Sequence, residues 1–260
     1  MLPDVPLLLS RAWKATGVAA GIVSALHSGV ASKGVPVYLD IGSRGGLPAR
    51  WRPVLFAGLI LPVYVEPDPI EAANMTRRFP RARLIRAPLG AVDGYPATLH
   101  VTREPGRSSL LEPDSTVISA FSAVAPWEVV RREPLTVRRL DQIWGDSAPP
   151  TFVKVDVQGY ELEVLQGMGS LLESVVCLEA ETSLVRFYRH QATFSELQQF
   201  LDLHGFDLVR IAALGLYRRQ AMVEFNTFWV RRGAHDDPKA QLWKRVNDVG
   251  NSRRVNVYGY

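Results

Sequence analysis

Hydrophobic positions in this chain fall into short runs separated by polar or glycine-rich stretches, and the runs alternate between two spacings. From residue 35 onward, continuous β-branched and aliphatic runs take turns with segments whose apolar residues recur every three or four positions. The first pattern belongs to strands buried in a sheet, the second to helices lying on it. Strands are predicted over 35–41 (VPVYLDI), 62–66 (PVYVE), 82–88 (ARLIRAP), 152–157 (FVKVDV), 174–181 (SVVCLEAE), 206–212 (FDLVRIA) and 224–232 (EFNTFWVRR). Helices are predicted at about 47–60, at 70–79 behind Pro69, and after Gly159, where Leu162, Leu165, Met168 and Leu172 keep helical spacing. A further helix runs from Ser195 to His204 and stops at Gly205, and a short one lies around Gln241–Val246. This alternation predicts an α/β fold: a mostly parallel seven-stranded sheet with an antiparallel edge strand and helices on both faces.

Three regions stand outside the alternation. In the N-terminal extension, 1–33, residues Leu9, Ala12, Trp13, Ala19, Ile22, Val23, Leu26 and Val30 recur at roughly helical spacing. Such a helix caps the domain or meets a second copy; the sharper alternative is peripheral membrane attachment through residues 5–30. Within the domain, 34–232, the stretch 95–140 reads as an insertion or lid. Its segment 101–115 is too long for a plain connection, and 128–140 (EVVRREPLTVRRL) is predicted to pair as two short strands. The remainder, 233–260, is a polar, basic tail.

Composition narrows the partners. The net charge of +4 comes from 25 arginines against 5 lysines, and the arginines form scattered pairs. Nucleic-acid binding is therefore disfavoured, because its footprint is clustering on one face. The single cysteine, Cys177, excludes an internal disulfide and cysteine-based zinc, and it suits a reducing cytoplasm. No run reaches the ~18 apolar residues of a membrane span.

Chemistry concentrates in FVKVDVQGYELEVLQG, Phe152 to Gly167. Lys154 and Asp156 interrupt a core strand on one face, and a buried charge costs several kcal/mol unless paired. Glu161 and Glu163 lie in the first turn of the next helix, where the dipole favours negative charge. A carboxylate at the carboxyl tip of such a strand lies where open α/β sheets place ligands. The first turn, LDIGSRGG (39–46), fails the dinucleotide pattern: counted from Gly42, Arg44 and Leu47 stand where glycine is needed. Asp40 would repel a pyrophosphate and suits a cationic ligand. Glu66, at the tip of the second strand, is placed to accept two ribose hydroxyls.

The segment 152–167 closely resembles the signature of the FkbM family of S-adenosylmethionine-dependent methyltransferases, and the likeness extends over roughly residues 35 to 232. The resemblance implies a class I, Rossmann-like methyltransferase with S-adenosylmethionine as cofactor and S-adenosylhomocysteine as product. On that pattern Asp40, Gly42, Ser43, Gly45 and Glu66 hold the cofactor, and Ala91 and Asp93 in LGAVDG (89–94) meet the adenine. Asp156 would contact the cofactor beside its methyl group and act as base, Lys154 would keep it or Asp40 ionised, and Glu161 would share in substrate contacts. Glu179 and Glu181 face the same crevice and would bind substrate or a divalent cation; the sequence does not establish a metal. His190 would reach the substrate, and Ser109, in a Gly-x-Ser-Ser stretch, would close over the site. Tyr160 and Asn226 depart mildly from the family pattern. The implied acceptor is a hydroxyl of a small molecule or sugar-containing metabolite. Two rivals stand beside this reading: a nicotinamide-dependent oxidoreductase, and a methyltransferase-like module that binds a partner or membrane without catalysis.

Overall fold

The computed structural model describes residues 34–215, 217–218 and 221–249. The expected N-terminal helix over 5–30 and the end of the basic tail lie outside these residues. At the centre of the fold lies β1 (Val37–Ile41), five buried residues in a row. On one side it pairs with β2 (Leu61–Val65), which pairs with β3 (Arg83–Ile85). On its other side follow β6 (Pro150–Val155), β7 (Cys177–Ser183), β9 (Glu224–Arg231) and β8 (Phe206–Ala213). The order β3-β2-β1-β6-β7-β9-β8 makes a seven-stranded sheet in which only β9 runs against its neighbours. The antiparallel strand thus sits one place in from the edge, and β8 takes the edge itself.

Helices cover both faces because both faces are apolar. Tyr38, Trp51, Phe152 and Val230 form a core on one side with α1 (Arg52–Phe56), α2 (Pro69–Arg78) and α7 (Pro238–Val249). Leu39, Val153, Leu178 and Trp229 form the other, under α4 (Leu140–Ile143), α5 (Glu161–Gln166) and α6 (Phe194–Leu203). The helix expected over 47–60 is shorter: a 3-10 turn at Ala49–Trp51 leads into the five residues of α1. Pro48 and Pro53 confine it at the start, and Gly58, at φ 69°, stands just past its end.

The insertion 95–140 departs furthest from expectation. The stretch 128–140 does not fold on itself; it supplies a single strand, β5 (Val129–Thr136), paired antiparallel with β4 (Pro96–Thr102). Alternating half-buried and exposed positions make β5 a half-buried strand, and its partner lies too far back in sequence for a local hairpin signal to show. Between them runs α3 (Ser115–Phe121), whose first amides bond the Asp114 side chain. Ile118, Trp127, Phe187 and Tyr188 form a separate cluster that fixes this ribbon over the carboxyl end of the sheet.

Candidate active site

Sheet order reverses between β1 and β6, and loops leaving those strands part there. A cavity of about 200 Å³ opens at this point, lined by the tips of β1, β2 and β6 and roofed by Pro105–Leu110. Ligands of open α/β sheets bind at such switch points.

The tip of β1 supplies Asp40, only 1% exposed, whose Oδ1 has no hydrogen-bond partner among the described residues. Burial pushes its carboxyl up to about 6, against the opposing pull of Lys154. Gly42 follows at φ 78°, where a Cβ would lie 1.8 Å from the carbonyl oxygen of Asp156. Ser43 Oγ donates to the Val65 carbonyl at 3.2 Å, which ties the turn to β2. Gly45 turns away from the cavity and donates its amide to Glu71 at 3.3 Å, while Gly46 lines the wall.

The tip of β2 supplies Glu66, buried, with Oε1 accepting the Asp68 amide at 2.9 Å. Desolvation raises this carboxyl to about 7. Asp68 caps α2 and pairs with Arg131 at 3.1 Å. Arg44 lies 3.8 Å from Asp68 and also donates to the Pro105 carbonyl, so it bridges the mouth. Opposite these polar groups stand Leu89, Leu99, Leu110, Tyr160 and Val164, an apolar slot suited to a planar ring.

Beyond β6, Lys154 Nζ donates to Asp156 Oδ2 at 2.8 Å. Burial alone would raise the Asp156 carboxyl, but Lys154 and the Gln158 amide hold it below its ordinary value. The Gln158 side chain donates to Asp156 Oδ1 at 3.0 Å and to Glu181 Oε1 at 2.9 Å. Burial beside Asp156 pushes Glu181 well above the usual range. Gln158 sits at φ 57°, a left-handed conformation uncommon outside glycine. It is held there by Ser109 Oγ on its carbonyl at 2.7 Å and by the Tyr188 hydroxyl 3.1 Å from Oε1.

Other expected groups are placed elsewhere. Glu161 Oε1 accepts the amides of Val157 at 3.0 Å and Gly159 at 3.1 Å, so it staples the loop under Asp156 and does not line the cavity. Glu179 is buried behind the cavity in an ion pair with Arg50. Asp93 is exposed and accepts from Arg138 Nε and the Arg139 amide, both at 2.9 Å; it does not reach the cavity. The Ala91 carbonyl accepts from Arg139 at 2.8 Å, and Ala91 lines, with His190, a separate groove under the ribbon. Among the described residues no group of three or more His, Cys, Asp or Glu is placed to hold a metal ion. Gln158, Tyr188 and Arg44 are site residues that the sequence reading did not single out for binding. Arg44 had a signal, since it occupies a position that a dinucleotide turn reserves for glycine.

The FkbM methyltransferase domain matches residues 46–208, which include the tips of β2 and β6 and the whole ribbon. The chain belongs to the FkbM methyltransferase family. This methyltransferase is also similar in structure to magnesium protoporphyrin IX methyltransferase from Synechocystis PCC 6803, solved with bound SAM. That pair shares 13% identity over 82% of this chain and 77% of the other, at a TM-score of 0.40. The O-methyltransferase from Bacillus cereus, solved in complex with SAH, shares 14% identity over 82% and 81%, at 0.39. A search of curated protein sequences found no match.

The FkbM cavity presents two carboxylates and an apolar slot. An unpartnered buried carboxylate oxygen at Asp40 calls for a cationic donor group. Glu66 offers a carboxylate to hydroxyls, and the leucine-lined slot offers stacking area to a ring.

Proposed function

We propose that this FkbM methyltransferase moves a methyl group from S-adenosylmethionine to a hydroxyl oxygen of a small-molecule or sugar-containing acceptor, leaving S-adenosylhomocysteine. The observation that carries the reading is the pairing, in one cavity, of the unpartnered Asp40 with the lysine-bound Asp156. Asp40 receives the ammonium group of the methionine portion, Glu66 the ribose hydroxyls, and Leu89, Leu99 and Leu110 the adenine. The cofactor supplies a methyl group activated by its cationic sulfur; alignment, water exclusion and proton removal fall to the protein.

Asp156 is the group that takes the acceptor's proton. Its Oδ2 is occupied by Lys154, its Oδ1 accepts the Gln158 amide, a donor that an acceptor hydroxyl can replace, and the Glu181 carboxyl also hydrogen-bonds the aspartate. Glu181, on the same amide, is positioned to hold a second polar group of the acceptor. Family resemblance supports oxygen over nitrogen; the carboxylate floor would take a proton from either.

The test is incubation with methyl-labelled cofactor and matched alcohol and amine acceptors, read by product mass and fragmentation. Label on oxygen, lost in Asp156→Asn, is the expected result. Label on nitrogen alone overturns the oxygen reading.

A further inference from the structure

A line of charged side chains crosses the sheet just below the cavity, and two of its members belong to no ligand contact. Parallel pairing sets Asp40 of β1 beside Lys154 of β6, and Lys154 beside Glu179 of β7. In-register residues of neighbouring strands point to the same face, so these three alternate negative, positive, negative. Arg50, from the turn after β1, closes the line with an ion pair to Glu179. Arg50 Nε in turn donates to Asn247 Oδ1 of α7 at 2.6 Å, and Asn247 donates to the Trp243 carbonyl at 3.0 Å. Asp40 and Lys154 line the cavity; Glu179 and Arg50 do not.

With Asp156 included, this group holds three negative and two positive charges; Asp40 and Glu179 are buried and the other three half-buried, so their interactions are screened less than at the surface. Its net charge of minus one favours an ammonium group brought against Asp40. Removing either partner of the rear pair changes that charge.

We propose that Glu179 and Arg50 are positioning residues, which set the charge that Asp40 presents to the cofactor's ammonium group without touching the cofactor. The inference rests on the cofactor reading above and assigns the pair a task in it. It also gives α7 a part in the site, although α7 lies outside the matched family region, because Asn247 accepts from Arg50 Nε while the guanidinium pairs with Glu179.

The charged and titratable groups acting on Asp40 are Lys154 and Asp156 from the β6 end, Glu179 from β7, Arg50 from the turn, Tyr38 on β1 and Tyr64 on β2. Glu179 raises the Asp40 carboxyl and Arg50 lowers it. Asp40 must be ionised to bind ammonium, so affinity falls as pH drops through its titration. Without the Glu179 charge, that fall moves to lower pH. Glu66 titrates in the same cavity, and its effect is common to wild type and variant.

The experiment is calorimetric titration of the full chain with S-adenosylhomocysteine between pH 5 and 8. In Glu179→Gln the acid limb of binding shifts down by up to about one pH unit, the size expected of one charge two strand spacings, about 10 Å, away at an effective dielectric near 20. In the double variant Glu179→Gln/Arg50→Gln, which leaves neither partner charged alone, the limb returns toward that of wild type. Binding weakened by one constant factor at every pH, with the limb unmoved, means a purely structural pair and overturns the inference while the cofactor reading stands. Loss of binding in the double variant at pH 8 overturns it as well. No binding to the wild-type chain at any pH overturns the cofactor reading and this inference with it.

Discussion

Gly42 lies so close to Asp156 that a Cβ on the glycine would sit 1.8 Å from the aspartate's carbonyl oxygen. The contact joins the two strand tips on either side of the switch point, and the Asp156 amide donates to the Ile41 carbonyl at 3.0 Å. Floor and wall of the cavity are thus one unit.

Gly42→Ala must therefore separate β1 from β6 as well as strain a backbone at φ 78°. The backbone conformation alone costs about 1–3 kcal/mol. Urea denaturation should show at least that loss, and binding of S-adenosylhomocysteine should disappear. An unchanged unfolding midpoint contradicts the geometry.

Asp156 and Glu161 are both buried carboxylates of one loop, and they divide the work. Asp156→Asn should abolish methyl transfer while cofactor affinity stays within a few-fold of wild type. Glu161→Gln, compared with wild type at pH 9 where the Glu161 carboxyl is ionised, should chiefly destabilise the chain, because two loop amides lose a charged acceptor, worth about 1.5–3 kcal/mol each at most. Denaturation and transfer assays on the two variants separate these roles. Equal loss of transfer with unaltered stability in Glu161→Gln would return that residue to the chemistry.

Stability of the ligand-free chain should fall between pH 5 and pH 8. Asp40, Glu66 and Glu161 have folded-state values raised to about 6, 7 and 8 by desolvation. In the unfolded chain they ionise near their ordinary values, so over this window the folded state holds more protons. Stability then declines as pH rises. A thermal scan at pH 5, 6, 7 and 8 checks it, and Glu161→Gln should flatten the slope toward pH 8. A midpoint that rises across the window contradicts the burial of these carboxylates.

Strand positions and the two carboxylates that line the cavity were legible in the sequence because each depends on short-range pattern. Val153 and Val155 announce a buried strand, and Asp40 and Glu66 end strands at glycine- or proline-bearing turns. The ribbon was not legible, since β5 finds its partner in β4, on the far side of α3. Glu161 shows the limit for side chains: its spacing from Asp156 is compatible with a catalytic or a capping role, and only the loop amides decide. Asp93 likewise depends on Arg138 and Arg139, which a distant segment brings to it. Gln158 carries no sequence signal of its left-handed backbone, which is imposed by Ser109 and Tyr188 from two other elements.

The most direct test of the account is calorimetric titration of the wild-type chain and Asp40→Asn with S-adenosylhomocysteine at pH 8. The expected result is micromolar binding to wild type and a loss of about 10- to 100-fold in the variant, the worth of one charge-assisted hydrogen bond. No heat with wild type at millimolar ligand, or equal affinity in the two proteins, would contradict the assignment of this cavity to the methyl donor.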